Sequence, residues 1–521
     1  MENLRFALRI HPSYIPALVS ACVWWMTSCD TASTSSVQAD LDRTPIETAI
    51  LDQEDNFYYI DFKKYPYTDN TLPIGVFDSG TGGLTILNTL LDFDQHDNES
   101  GLSGADHQPD FSKENFIYLA DQANMPYGNY YAENKSDLLI EHIIKDAQFL
   151  LGHKYYLEGQ KDYQEDKLPV KAMVIACNTA TAYGKETLEQ FISKTGVPLK
   201  IIGVIDAGAK GALSHFDKDE DGAIAVFATV GTIASKGYEK TILDKANALG
   251  YKGNIQVYNQ GGHGIAEAVD EEPDYIQRDL KAPRKDYRGP ALDHPDFPID
   301  KTLMDVYNFD FDHHSMLCDA DNTQDCQVLQ INSSENYVRY HLVSMMEKIR
   351  KSAHPKPLKV VMLGCTHYPY LSEEIKDVLA ELYDYKKDNA YVYRPFMAEN
   401  IALVDPAVNV AEELYDYLKT GNMFNQKGDI NSSEFYISVP NRNNPRVAID
   451  DKGRFPYDYK YGRSAGEVQE YVQVVPFSAV NIPMETLDRL EAAVPTTYGI
   501  IKKFTNENDK TKGLSKTSKI R

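Results

Sequence analysis

Two cysteines, Cys177 and Cys365, stand in matched settings. The first closes the apolar run Ala172-Met-Val-Ile-Ala-Cys177 and is followed by Asn178, Thr179 and Thr181. The second closes Val360-Val-Met-Leu-Gly-Cys365 and is followed by Thr366 and His367. Short apolar runs of this kind read as buried parallel strands, so each thiol falls at a strand's C-terminal end, where open α/β sheets bind their ligands. Taken singly, either cysteine is ordinarily inert core. Two in equivalent positions suggest a site that uses two thiols for equivalent tasks, and reversible proton transfer at a carbon is such a task. Inverting a stereocentre needs a base on one face and an acid on the other, with the roles exchanged on reversal. A thiol at a helix N-terminus has a lowered pKa, which predicts two usable bases here. His367 can exchange a proton beside Cys365; considered alone it serves equally well as a packing or capping residue.

The turn Asp78-Ser79-Gly80-Thr81-Gly82-Gly83 follows the apolar run from Ile74 and opens a helix at Leu84. Its backbone N–H groups form an anion site suited to a small carboxylate. The spacing is not that of a dinucleotide fingerprint, and no Gly-Lys-Ser/Thr follows to make a P-loop. Ser79 can donate to a carboxylate, while Asp78 can accept from a substrate ammonium or orient a thiol; the plainer reading is a tight turn with a capping Asp. Making an α-hydrogen acidic requires donors on the carboxylate as it gains enolate character. The glycine turn supplies them, with Asn178, Thr179 and Thr366. There is no lysine motif for a Schiff base and no metal-ligand cluster, so neither cofactor nor metal is predicted. Asp217-Lys-Asp219-Glu-Asp221-Gly222 imitates the start of a calcium loop, but Ala228 stands where such a loop needs Glu. His313 and His314, near Asp310 and Asp312, read as solvated surface.

These residues need a scaffold of strands alternating with helices, which is an α/β protein with parallel sheets. Further strands are predicted at Phe116–Leu119, Ala223–Ala228 and Ile255–Tyr258, and a helix at Ser136–Leu151. The pattern of the first turn recurs as Ile202-Gly-Val-Ile-Asp206-Ala-Gly208. This suggests an internal duplication in which Asp206 answers Asp78 and each half carries one cysteine strand. The expected organisation is two pseudo-symmetric α/β domains with the site in the cleft between them. The first covers 73–200 with 400–420, and the second 201–399 with a polar insertion at about 265–335. Smaller insertions fall at 92–114 and 154–168. Residues 421–521 form a C-terminal extension whose best helix is Met484–Val494, ending in a lysine-rich tail (Lys502 to Arg521) that reads as solvated and mobile.

At 521 residues and a formal net charge of −24 the chain is large and acidic. That charge argues against a nucleic-acid or anionic-membrane partner, because phosphate contacts need clustered Lys and Arg. The N-terminus carries Arg5 and Arg9, an apolar stretch from about Tyr14 to Met26, and the ending Met26-Thr27-Ser28-Cys29. The stretch is too short to span a bilayer and fits a signal core. The ending resembles a bacterial lipoprotein signal over 1–29, with Cys29 as the lipidated residue and 30–72 as a tether, disordered over 30–56. Met26 where Leu is usual and Pro16 within the stretch depart from that pattern. Export to the periplasm or cell surface, with membrane attachment only through the lipid, is therefore expected; a cytoplasmic chain with a mis-assigned start is the alternative. Six cysteines make no disulfide framework in so long a chain. Cys318 and Cys326 pair if the protein is exported and stay free if it is not.

Five segments together carry a resemblance. They are Ile74-Gly-Val-Phe-Asp78-Ser79-Gly-Thr-Gly-Gly-Leu84, Ala120-Asp121 with Met125-Pro126-Tyr127-Gly128, Ala176-Cys177-Asn178-Thr179-Ala180, Ala228-Thr229 with Gly231-Thr232, and Leu363-Gly364-Cys365-Thr366-His367-Tyr368-Pro369. In this order they resemble glutamate racemase, of the cofactor-independent aspartate/glutamate racemase superfamily, over roughly 74–420; Val404-Asp405-Pro406-Ala407 is similar to that family's closing strand and turn. The resemblance implies Cys177 and Cys365 as the catalytic acid/base pair, assisted by Asp78 and His367. It places Ser79, Tyr127, Gly128, Asn178, Thr179, Thr229 and Thr366 around an amino-acid substrate, and it leaves a homodimer open. D-glutamate as product implies supply of peptidoglycan precursors, a cytoplasmic task at odds with the export signal. The stretch Gln260 to Val269 departs from the family pattern at the substrate side-chain pocket, so aspartate or another amino acid is an alternative substrate. A surface lipoprotein that binds amino acids without turning them over is the alternative of a different class.

Overall fold

The computed structural model describes residues 43–521 apart from 270–273, 321–324, 366 and 452, and from Pro45 onward the chain is one compact unit. The signal-like segment with Cys29, and Thr366, lie outside the described residues. After helix α1 (Pro45–Asp52), the chain alternates β1 (Ile74–Asp78), α2 (Leu84–Leu91), β2 (Phe116–Ala120), α3 (Ser136–Leu151), β3 (Ala172–Ile175), α4 (Asn178–Thr195), β4 (Lys200–Gly203) and α5 (Val204–Leu213). A second series follows: β5 (Gly222–Ala228), α6 (Gly237–Ala248), β6 (Ile255–Gly261), α7 (Ser334–Lys351), β7 (Leu358–Gly364), α8 (Ser372–Asp384), β8 (Met397–Val404) and α9 (Pro406–Thr420). Every residue of β1, β2, β3 and β5 is buried. Helices on both faces demand such continuous apolar runs, which explains why these strands show no alternation.

β1–β4 pair in the order β2-β1-β3-β4 and β5–β8 in the order β6-β5-β7-β8, all parallel. The two sheets therefore share one topology, as the duplication predicted, but the correspondence differs from the expected one. β5 holds the place of β1, so the counterpart of the Asp78 turn is the loop opening at Thr229. Asp206 instead lies in the first turn of α5 and pairs with Lys245 at 3.0 Å and Lys185 at 3.6 Å. Residues 400–420 are also divided: β8 joins the second sheet, while α9 packs on α2 and α5 of the first. α5 and α9 approach so closely that a β-carbon at Gly211 would fall 2.2 Å from Asn409 Oδ1, a contact only glycine permits.

The extension is built into the first sheet. β9 (Glu434–Pro440) pairs parallel with β2, and β10 (Val472–Pro476) pairs antiparallel with β9, giving a six-stranded sheet. α10 (Met484–Ala493) and α11 (Pro495–Glu507) follow, and α11 packs on α2. The lysine-rich tail is docked rather than mobile. Lys510 pairs with Glu434 at 2.5 Å, Ile520 is buried, and Ala479 N donates to Ser518 O at 2.9 Å. The expected tether is likewise structured from Pro45. Ile46 and Ile50 of α1 are buried, α1 packs on α3, and Tyr65 Oη donates to Val170 O at 2.6 Å. Apolar residues spaced four apart on α1 supply the burial that a disordered segment lacks.

The 265–335 insertion is less polar inside than its sequence suggested: Tyr307, Phe309, Met316, Leu329 and Ile331 are buried in the second sheet's core. Cys318 and Cys326 form a disulfide. His313 and His314 are exposed. The calcium-like string is engaged otherwise, since Asp221 takes Asn254 N at 2.7 Å and Lys356 at 2.6 Å, and Glu220 pairs with Lys359. Among the described residues no helix is long and apolar enough to cross a membrane.

One buried ion pair ties the extension to the first sheet. Lys171 Nζ lies 2.7 Å from Glu114 Oε2 and donates to the carbonyls of Asn70 and Met423, both at 2.8 Å; Glu114 Oε1 accepts Asn425 N at 2.7 Å. Burial pushes Glu114 up and Lys171 down against their mutual attraction. Such a pair adds little net stability, yet breaking it strands a buried charge. Lys171→Ala is therefore expected to lose about 3–5 kcal/mol in urea denaturation. The double change Lys171→Ala/Glu114→Leu should recover part of that loss; a near-neutral single mutant would show that the pair is not buried as described.

Candidate active site

Strand register brings the predicted residues together. β1 and β3 pair with Phe77 opposite Ile175, and Ala176 N donates to Phe77 O at 2.9 Å. Asp78 and Cys177 therefore leave the sheet side by side. In the second sheet β5 and β7 pair with Ala228 opposite Gly364, so Thr229 and Cys365 leave side by side. Each thiol thus has a partner from the neighbouring strand, a carboxylate in one sheet and a hydroxyl in the other.

The Asp78 carboxylate accepts from Gly83 N at 2.9 Å and Gly80 N at 3.2 Å, which folds the turn around it. Gly83 has no room for a side chain: a β-carbon would fall 2.6 Å from that of Asp78 and 2.9 Å from that of Ala176. Tyr118 Oη donates to Gly80 O at 2.7 Å and fixes the turn from below. Cys177 caps α4, its sulfur 3.4 Å from Ala180 N and 3.7 Å from Ser79 Oγ. Burial, with the Asp78 charge second, pushes the Cys177 thiol up to about 12. The helix N-terminus was expected to lower it; desolvation and an adjacent carboxylate outweigh that effect. Burial also raises Asp78, against the hydrogen bonds that favour its ionised form.

Cys365 is also buried, and its sulfur lies 3.6 Å from His367 Nδ1. A residue not singled out in the sequence links the two thiol turns. Tyr238, at the start of α6 and buried, donates from Oη to Asn178 Oδ1 at 3.0 Å. Its ring stands where a β-carbon on Gly364 would approach within 3.1 Å. Burial, then Asp405 and Cys365, raises its hydroxyl. Above the turns lies a cavity of about 300 Å³, lined by Thr81, Gly82 and Thr85 of the first lobe and by Val269, His367 and Tyr370 of the second, with α10 as a further wall.

The remaining predicted residues divide. Ser79, Asn178, Thr179 and Thr229 are half-buried at the strand ends, with Thr229 Oγ1 accepting Thr232 N at 3.3 Å. Gly128 is exposed at the start of a short helix. Tyr127 is not presented to the cleft by its hydroxyl. Its side chain is buried, and its oxygen sits 2.6 Å from both Asp121 and Asp146 carboxylates. One hydroxyl hydrogen cannot serve two carboxylates, and burial beside Asp121 holds Asp146 well above its usual range. The resemblance places Tyr127 at the substrate; its carboxylate partners, 6 and 19 residues away, are contacts that the motif does not show. Tyr238, Tyr370 and α10 carried no motif that would have marked them.

Comparison with known proteins finds glutamate racemases. No family model matches the chain. The glutamate racemase of Thermoanaerobacter pseudethanolicus is 27% identical over 368 residues, 70% of this chain and 88% of that protein. That of Neisseria gonorrhoeae is 36% identical over 171 residues, 33% of this chain and 47% of the relative. A solved glutamate racemase from Francisella tularensis in complex with D-glutamate aligns at a TM-score of 0.38 and 20% identity, covering 76% of this chain and 95% of that one.

Since Cys177 titrates near 12 when folded and near 9 when unfolded, its contribution to stability is complete below pH 9 and is lost as the pH climbs toward 12. The Asp78 charge accounts for part of the shift. Asp78→Asn is therefore expected to speed alkylation of Cys177 by iodoacetamide at pH 8 about tenfold, the effect of one pKa unit. Peptide mass spectrometry reads this site by site. An unchanged rate would remove Asp78 as a cause.

Proposed function

The chain belongs to the glutamate racemase superfamily, and from that premise we propose that it interconverts L- and D-glutamate by two-thiol proton transfer. The observation that carries this reading is the pair of thiols at equivalent strand ends, with Tyr238 bonded to Asn178 beside the first and packed near Gly364 before the second. One sulfur, as thiolate, takes the α-hydrogen: the C–H bond breaks and an S–H bond forms. The opposite thiol then gives its proton to the other face of the planar carbanion and is itself left as thiolate. Ser79, Asn178, Thr179 and Thr229, with the backbone at Gly128, are the donors for the substrate's carboxylates, and such donors stabilise the charge that develops in the transition state.

Asp78 has a definite task here. After burial, its charge helps hold Cys177 as a thiol, the acid form. A substrate ammonium entering beside Asp78 offsets that charge and eases ionisation of the sulfur, so substrate binding itself prepares the base. His367 lies beside Cys365, its Nδ1 3.6 Å from the sulfur, within reach to exchange a proton with it. Simple binding of amino acids needs none of these groups, and the non-catalytic alternative is not favoured.

The chain is also proposed to be an exported lipoprotein acylated at Cys29, a reading supported by the Cys318–Cys326 disulfide, since disulfides persist in oxidising compartments. Lipid labelling of Cys29 in the producing cell tests it, and an unprocessed chain confined to the cytosol would contradict it.

Cys177→Ser and Cys365→Ser are each expected to lower racemisation of glutamate by about 10²–10⁴-fold, the usual worth of a positioned acid or base. Each single mutant should still exchange the α-hydrogen of one enantiomer with deuterated water, and the two mutants should differ in which one. Racemisation at the wild-type rate by either mutant would end the two-thiol reading. Exchange with aspartate but not glutamate would move the substrate, not the mechanism.

A further inference from the structure

The start of α6 packs against both cysteine-bearing segments. Gly237 has no room for a side chain, since a β-carbon there would fall 2.8 Å from that of Ala182 on α4 and 3.1 Å from Ile205 Cδ1 on α5. Tyr238 follows it, 2% exposed, and its ring would lie 3.1 Å from a β-carbon on Gly364, the residue before Cys365. From this packed position its hydroxyl reaches across to Asn178, the residue after Cys177, at 3.0 Å.

That hydroxyl decides which way the Asn178 amide faces. Among the described residues, Asn178 Oδ1 is the acceptor for the Tyr238 hydrogen. Turning the amide over would bring its N–H groups to Tyr238 and leave a buried hydroxyl hydrogen unpaired, which is costly. The Asn178 oxygen is therefore committed to Tyr238. Both N–H groups remain on the other edge of the amide, where they bond no other described residue. A carboxylate only accepts hydrogen bonds, so an amide that shows it nitrogen attracts it and one that shows it oxygen repels it. We propose that Tyr238 is a positioning residue, which holds the Asn178 amide with its N–H groups toward a carboxylate of the substrate. This rests on the racemase reading and deepens it: one lobe orients a substrate donor that the other lobe carries beside its thiol.

Steady-state kinetics of Tyr238→Phe, Asn178→Ala and the double change on the full chain test the assignment as a double-mutant cycle. Tyr238→Phe keeps the ring and its packing and removes only the hydroxyl. It should lower kcat/KM for glutamate about 3–10-fold, the net worth of one hydrogen bond. Most of that change should fall on KM, because the carboxylate is held before as well as during proton transfer. In the Asn178→Ala background the same change should cost less than about twofold, since no amide is left to orient. Wild-type kcat/KM in Tyr238→Phe would overturn the inference. So would an equal loss in both backgrounds, or a loss confined to kcat, either of which marks a structural role. If the wild-type chain turns over another amino acid and not glutamate, the glutamate reading falls, and the same cycle on that substrate upholds or overturns this inference by the same results. Absence of turnover with every amino acid would remove both.

Discussion

Everything at the site follows from the parallel register of two strand pairs, β1 with β3 and β5 with β7. Because Phe77 lies opposite Ile175 and Ala228 opposite Gly364, each cysteine leaves its sheet beside the residue that ends the neighbouring strand. A slip of one residue would turn each side chain to the other face of its sheet. All of β1, β3 and β5, and all of β7 but Lys359, is buried, so the paired strands hold both thiol-bearing ends in the packed core.

The two halves share a topology but differ in chemistry. The first thiol sits beside a buried carboxylate that raises its pKa, and the second beside Thr229 and His367. A protein that trades a proton between two sulfurs needs one protonated and one ionised at the start and at the end of each turnover. Placing a fixed charge beside only one of them biases which sulfur holds the proton, and a bound ammonium relaxes that bias. Asymmetric surroundings on a symmetric frame thus serve a reaction that must run in both directions.

Much of this was legible in the residues. The apolar runs before Asp78, Cys177 and Cys365 announced buried parallel strands, and Ser136–Leu151 showed its helical period plainly. What could not be read depended on contacts between distant segments. Asp206 mimics Asp78 in local sequence, yet β5 takes the place of β1 because strand order is decided by pairing across the sheet. Tyr127 was placed at the substrate by the family resemblance, and the carboxylate of Asp146 that shares its hydroxyl is nineteen residues away, outside the motif. The extension gave no sign of joining the first sheet, since β9 pairs with the distant β2 and β10 pairs with β9, contacts that local sequence does not show. The lysine-rich tail looked solvated because Glu434, the partner of Lys510, lies 76 residues upstream.

The account stands on one spatial claim, that a single α-carbon lies between the two sulfurs. A crystal structure of the protein with D-glutamate bound measures this directly. Cys177 Sγ and Cys365 Sγ are expected on opposite faces of that carbon, each about 3–3.5 Å from it. Both sulfurs on one face, or an amino acid seated where only one of them reaches, would contradict it.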